Sequence, residues 1–498
     1  MADKKEPKIN PAGLRGPEWQ WADEQSLQTS GVLGKGEDLW KISEHVERPA
    51  KQVPVVYDVD VAVAGAGVAG VIAALAAARQ GADTLIIDEF SSVGGNIGVG
   101  LWAGGSFHLG LHYSSPSGLN PDAFPNGIGG IPAEFADRIL QGEDRMLGEG
   151  YFRDAQAQKA VAVQMLEEAG TKMLLSAFVS DVLMDGNKVC GLLVETKSGT
   201  LAVKSKVAID CTGTADVADR AGAPLIVQPT HPSAGVFFAL GHVDYDRYEQ
   251  ALQERSEISE NDKAWLEAHA PESEPYMPWV RQAWEAGEFY IVDTVDDFAT
   301  LEIMLKGPVP SEPTMLRGRT RVNGNWNPGD ALALSRINQK MHVYIYAFAQ
   351  FLQRRVPGFE DSYLHLISSF THARGGKCID SEYMVSGDDV NAEKRFNDVV
   401  YKYFAPTVNG TDIPYRMMLP KKINGLLAAG KSAMNRGPQF RARYSCQLMG
   451  QAAGVAAALA TKSGIEPREI DVKQLQKILH ELGSNMGPPD RVKELGIT

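Results

Sequence analysis

An α/β fold built on a parallel sheet is what this sequence predicts, and three observations carry it. A strand, a glycine loop and a helix follow one another over residues 57–81 (YDVDVAVAGAGVAGVIAALAAARQG). The next apolar run, TLIID, ends in an acid at Asp88. Residues 172–213 then read as apolar or alternating strands, with turns at Asp185-Gly186 and Ser198-Gly199 that return the chain to a buried strand.

The glycines of the first loop, Gly65, Gly67 and Gly70, have GxGxxG spacing. Gly65 permits the tight turn, Gly67 lets a diphosphate approach the backbone, and Gly70 allows the helix to pack closely. The amides of Val68 and Ala69 then face the phosphates at a helix N-terminus. Asp88 lies eighteen residues past Gly70, where a dinucleotide-binding unit places the carboxylate that grips an adenosine ribose; Glu89 adjoins it. Without the flanking strand, helix and acid, the same glycines would describe only a tight βα turn.

The chain has 498 residues, long for a single core, so two or more are expected. Residues 1–56 carry five prolines and no sustained periodicity, which predicts an extended arm; Trp19, Trp21 and Trp40 argue that part of it packs on a surface. The Gly-rich stretch 94–130 carries Trp102, Phe107, His108, His112 and Tyr113, as functional loops do. A helix is expected over 151–170 with a glycine cap, and a long one near 330–355. Between 226 and 370 the composition shifts to charged helical stretches and proline-rich joints, predicting an inserted α+β substrate domain. A discontinuous cofactor domain, 57–225 and 371–480, surrounds it, and 481–498 form a C-terminal tail.

A net charge of −13, from 62 acidic and 49 basic residues, leaves no field to attract nucleic acid. Cys190, Cys211, Cys378 and Cys446 are scattered and form no metal-ligand pattern, so they read as thiols of a reducing compartment. The first twenty residues lack an apolar h-region, and no apolar run is long enough to span a bilayer. The expectations are a cytoplasmic location, a small-molecule substrate, no metal and no nucleic-acid or membrane partner, with homo-oligomerisation left open.

Three further segments turn dinucleotide binding toward FAD. Val93-Gly94-Gly95-Asn96 follows Asp88, the strand Ala208–Cys211 runs into Thr212-Gly213-Thr214-Ala215-Asp216, and Leu426–Gly430 precedes a final helix at Gly450-Gln451-Ala452-Ala453-Gly454. With IGGIPAEFADRIL at 128–140, DCTGTADVADRAGAP at 210–224, VPGFE at 356–360, IPYRMMLPK at 413–421 and RxxxxCxxxGQAAG ending at Gly454, the chain resembles the FAD-dependent oxidoreductase family of the glutathione-reductase-like superfamily over about residues 57–480. The resemblance implies a Rossmann-type FAD-binding domain, with Asp88 on the adenosine ribose and Gly94, Gly95 and Asn96 against the cofactor. It also implies adenine near the backbone of Val179, and Gly213 and Asp216 beside the pyrophosphate and ribityl chain. Thr212, Gly430, Gly450 and Gln451 complete the expected cofactor set, with the helix N-terminus around Met449–Gln451 stabilising charge on reduced flavin.

The substrate side departs from the family. Where the family has a charged stretch of the form RESRRIxGEY, this chain has Arg374-Gly375-Gly376-Lys377-Cys378 running on to Tyr383: the first Arg survives as Arg374 and a later Arg becomes Lys377, but the Glu is Gly375 and another Arg is Cys378. An unperturbed imidazole titrates close enough to neutrality to move protons, which makes His372 a candidate general base, and Arg374, Lys377 and Arg441 are candidates for orienting substrate. His372 can equally be a hydrogen-bonded structural histidine, and His108, His112 and His231 are alternatives. Trp102, Tyr415 and Arg416 are candidates for lining the cavity, and Cys446 is expected to be a packed thiol. The expected reaction is hydride transfer between a small organic substrate and flavin N5. Alternatives are a fumarate-reductase-like C=C reductase and a flavoprotein with a structural or partner-binding role.

Overall fold

The computed structural model describes residues 44–47, 49–95, 129–140, 157–228, 234–254, 259–261, 264, 279–288, 301–309, 312–322, 331–369, 371–373, 376–403, 410–434 and 443–497. Beyond residue 47 the chain divides into two compact units, Arg48–Gln228 with Lys377–Thr498, and Pro229–Gly376.

The first unit is built on β1 (Val55–Ala64), β2 (Thr84–Asp88), β3 (Lys172–Leu175), β4 (Phe178–Asp185), β5 (Lys188–Thr196) and β6 (Gly199–Asp210), in the order β3-β2-β1-β6-β5-β4. β3, β2, β1 and β6 run parallel, and β6, β5 and β4 form the expected antiparallel meander. The last four residues of β1 and all of β2 are buried, as continuous apolar runs under helices must be.

On its side away from β1, the twelve-residue β6 serves two neighbours. Its first half pairs with β5, and its last residues pair in parallel with the strand Leu426–Ala428. Register puts Ala64 and Ala428 both opposite Asp210, and Ala64 also opposite Ile87. The loops that follow β1, β2, β6 and Leu426–Ala428 therefore leave the sheet at one carboxyl edge, the place where open α/β sheets bind ligands.

Two Ala-rich helices cover this sheet. The glycine-loop helix Val68–Arg79 is buried from Ala69 to Ala77, and the helix Arg443–Ser463 is buried from Tyr444 to Ala460. A Cβ on Gly450 would stand 2.2 Å from the carbonyl oxygen of Ala69, and one on Gly454 would stand 2.2 Å from that of Ala73. The small residues thus let two parallel backbones touch, and the composition that sequence reading attributes to the cofactor is also what this contact requires.

The second unit is α+β. Its six-stranded sheet runs Tyr363–Ile367, Phe237–Gly241, Glu312–Val322, Ala234–Gly235, His372–Ala373, with Leu301–Val309 paired to Glu312–Val322. The pairings are antiparallel. The helix Ala331–Arg355 supplies Tyr344, Phe348 and Phe351 to a core shared with Phe238, Leu240, Leu316 and Phe359. A side chain at Gly318 would collide with the Phe238 ring at 2.1 Å, so the outer end of the aromatic ring fills the space beside that strand.

Candidate functional site

The three glycines of the first loop have different surroundings. Gly65 has φ +96° and would meet the Cys211 carbonyl oxygen at 2.5 Å if it carried a Cβ. Gly70 would meet the carbonyl oxygen of Gly65 at 1.8 Å. Among the described residues, nothing lies within 4 Å of a Cβ position on Gly67, the N-cap of the helix, which has no side-chain cap and faces open space there. The first amides of a helix have no intrahelical acceptor and carry the positive end of its dipole, so this turn is shaped to receive an anion.

The segment after Asp88 is drawn onto the same turn. Gly94 (φ +99°) donates its amide to the Ala66 carbonyl oxygen at 2.7 Å. A Cβ on Gly95 (φ +50°) would stand 2.9 Å from the Gly67 Cα. The buried Asp88 carboxylate accepts from the Ala66 amide at 2.5 Å and the Phe90 amide at 2.8 Å. Burial outweighs these amides and raises its pKa. Around Glu89, desolvation raises the pKa and the charges of Asp88 and Asp216 add to it, although the residue keeps an exposed face. The start of the meander lies alongside, with the Ser176 and Ala177 amides donating to the Phe90 and Asp88 carbonyl oxygens, which brings Val179 close to the acid.

The loop after β6 has left-handed backbone at Gly213 (φ +82°) and Ala215 (φ 55°). Among the described residues a Cβ on Gly213 would meet nothing within 4 Å, so this face is open to them like that of Gly67. Desolvation and the charge of Asp210 raise the pKa of Asp216, opposed by Arg220, Thr214 and Lys377. A pair of glycines open among the described residues, with the carboxylates of Asp88, Glu89 and Asp216 beside them, fits a dinucleotide, whose phosphates would lie over the glycines and whose sugar hydroxyls would supply hydrogens to the acids.

The model of a family described as FAD dependent oxidoreductase matches residues 60–402 and 401–479. The chain belongs to the FAD-dependent oxidoreductase family. This oxidoreductase is 28% identical over 195 residues to digeranylgeranylglycerophospholipid reductase 1 of Methanococcoides burtonii, covering 38% of this chain and 46% of that protein. It is 29% identical over 172 residues to thiamine thiazole synthase of Methanococcus maripaludis, covering 32% of this chain and 57% of that protein. The matches therefore span about half the length of these curated relatives. Among solved structures, a geranylgeranyl bacteriochlorophyll reductase-like protein of Thermoplasma acidophilum is 14% identical, with TM-score 0.41 and coverage of 88% of this chain and 86% of that chain.

FAD is the cofactor of this oxidoreductase, and the fold is the expected Rossmann-type α/β one. Among the described residues no helix is long and apolar enough to cross a membrane.

Several expected site residues of the oxidoreductase do other work. Gly450 and Gln451 lie inside a helix that is already formed at Arg443, so they are not at its N-terminus. Gly450 packs against Ala69, and the wholly buried Gln451 accepts from the Ile131 amide at 2.6 Å and donates to Ser484 Oγ at 2.6 Å. Lys377 is paired with Asp219. Tyr415 is buried with its hydroxyl donating to the Pro467 carbonyl oxygen at 2.7 Å, and Arg416 makes a two-pronged pair with Asp398.

Cys446 is buried, and burial pushes the Cys211 thiol well above its usual pKa, with Asp210 and Cys446 adding to the effect. Both thiols are packing groups. His372 lies in the short strand His372–Ala373, its backbone opposite Gly235. The side chain of His372, and all of Asn96, Trp102, His108, His112, His231, Arg374 and Arg441, lie outside the described residues.

Asp210 and Ser432 escape a reading of the sequence alone. Asp210 is wholly buried at the end of β6, and Ser432 is wholly buried in the 3-10 turn Gly430–Ser432. They meet at 2.9 Å across 222 residues of sequence. The signal available for Asp210 is a charged residue closing the apolar run Val207–Ile209; for Ser432 there is none.

Proposed function

We propose that this FAD-dependent oxidoreductase transfers a hydride between a C–H bond of a small organic substrate and flavin N5. FAD when bound supplies a two-electron acceptor or donor that no side chain provides. The supporting observation is the cradle itself, in which Gly67 and Gly213 are open while Gly65 and Gly70 are closed by backbone. On this reading Val68 and Ala69 present amides to the pyrophosphate. Asp88 and Glu89 accept from the adenosine ribose, Asp216 accepts from the ribityl side, and Gly94, Gly95 and Thr212 shape the walls.

Proton movement on the substrate side is assigned to His372, with Arg374 and Arg441 orienting an anionic group. Lys377 leaves this set because Asp219 holds it. The test is Arg374→Ala: the bound-flavin absorbance is expected to stay while turnover collapses, and unchanged turnover removes Arg374 from the role.

A second reading is reduction of a C=C bond, supported by the relative whose name is digeranylgeranylglycerophospholipid reductase. Anaerobic mixing separates the two. Bleaching of oxidised enzyme by alcohols, amines or acids supports oxidation of a C–H bond. Reoxidation of chemically reduced enzyme by an alkene, without bleaching by that panel, supports reduction.

A further inference from the structure

The loop that follows β6 is held open by a clamp from a distant part of the chain. A serine hydroxyl has one hydrogen to donate and two lone pairs to accept. Ser432 uses all three: it donates to Asp210 Oδ1 at 2.9 Å and accepts from the amides of Gly213 at 2.9 Å and Ala215 at 3.2 Å. Those are the two left-handed residues of the loop, and Ala215 takes a conformation that alanine ordinarily avoids.

Asp210 supports the clamp from below. Its Oδ1 also accepts from the Thr212 amide at 3.1 Å and the Thr212 hydroxyl at 2.7 Å, and its Oδ2 accepts from the Ala218 amide at 3.0 Å. Thr212 Oγ1 in turn accepts from the Asp216 amide at 3.0 Å. The amides of residues 212, 213, 215 and 216 are therefore all engaged inside the protein. What the loop offers outward is the open face of Gly213 and the carboxylate of Asp216, and both depend on the loop keeping this shape.

The clamp joins two loops that leave adjacent parallel strands, since Ala428 lies opposite Asp210 and the Ala429 amide donates to the Asp210 carbonyl oxygen at 2.9 Å. We propose that Ser432, seated on the buried Asp210 carboxylate, is the positioning residue that sets the loop Thr212–Asp216 for FAD. It touches no cofactor atom itself and acts through Gly213, Ala215 and Asp216. This rests on the reading that places FAD over that loop.

The experiment titrates FAD into apo-protein, following flavin fluorescence, and records apo-protein melting in parallel. Ser432→Ala is expected to raise the FAD Kd by about tenfold or more, because a buried site loses three hydrogen bonds at once. Ser432→Cys keeps a side-chain donor and acceptor on a slightly larger atom but weakens each bond, and serves if the alanine variant fails to fold; its Kd is expected to rise as well. A Kd within about twofold of wild type in a folded variant, with only the melting temperature lowered, makes Ser432 merely structural and overturns the proposal.

Gly67→Val is the control for the placement of FAD. If it abolishes binding while Ser432 variants bind normally, the cofactor lies on the first loop as read and only the clamp is wrong. If Gly67→Val and the Ser432 variants all bind normally, the placement itself fails.

Discussion

A Cβ on Gly70 would stand 1.8 Å from the carbonyl oxygen of Gly65, whereas one on Gly67, three residues earlier, would touch nothing within 4 Å among the described residues. The glycines of one motif are thus required for opposite reasons. Gly70 is needed by the fold, and Gly67 is needed by what lies outside it. Gly67 also has φ −74°, which any residue adopts, so only an occupant of the open space demands a glycine there.

Gly70→Ala is expected to destabilise apo-protein by about 1–3 kcal/mol or more, since the loop must move to admit the methyl. Gly67→Ala should melt like wild-type apo-protein yet bind FAD more weakly. Melting curves and flavin titrations of the two variants check this, and equal losses of stability would show that the open space at Gly67 is not real.

Much of this was legible because it is local. The strand, turn and helix at 57–81, the acid at Asp88 and the meander turns are written in runs of adjacent residues, and a long helix expected near 330–355 is found at Ala331–Arg355. Pairings between distant segments carry no such pattern. Nothing near Lys377 announces Asp219, and nothing near Ser432 announces Asp210. The packing role of Gly450 was not legible in the sequence for a physical reason. Close helix packing and close cofactor approach both ask for a residue without a side chain, and only the Ala69 carbonyl oxygen beside Gly450 separates them.

The buried Asp412 carboxylate joins two buried cations. It pairs with Lys402 at 2.9 Å and Arg491 at 3.5 Å, and accepts from the Phe396 amide at 3.1 Å. Asp412→Ala removes the only carboxylate that both cations share among the described residues, and is expected to cost about 3–5 kcal/mol. Urea unfolding measures it; a loss below about 1 kcal/mol would mean that water reaches the cations.

Gln158 offers a change of the opposite sign. Its side chain is buried, and neither amide atom has a hydrogen-bond partner among the described residues. Gln158→Met keeps the length and flexibility of the side chain while removing an unmet desolvation cost, so stability is expected to rise by about 1 kcal/mol. Urea unfolding again decides it: a lowered midpoint would show that the amide is partnered in solution.

Burial raises the pKa values of Asp88 and Asp216, and the sign of the consequence is fixed. Below the ordinary carboxylate range both acids are protonated in folded and unfolded chain alike, and they contribute nothing to the difference. As pH rises, the unfolded chain releases its protons first, while the folded protein holds them until its higher pKa is passed. Fewer protons are then bound in the unfolded state, so the contribution of these acids to stability declines with rising pH through that window. Apo-protein melting temperature, followed from neutral pH down toward the carboxylate range, should therefore include a rising component from this pair. Asp216→Asn should flatten that rise, and a variant whose melting profile parallels wild type would show that Asp216 is not held in a carboxylate-averse environment.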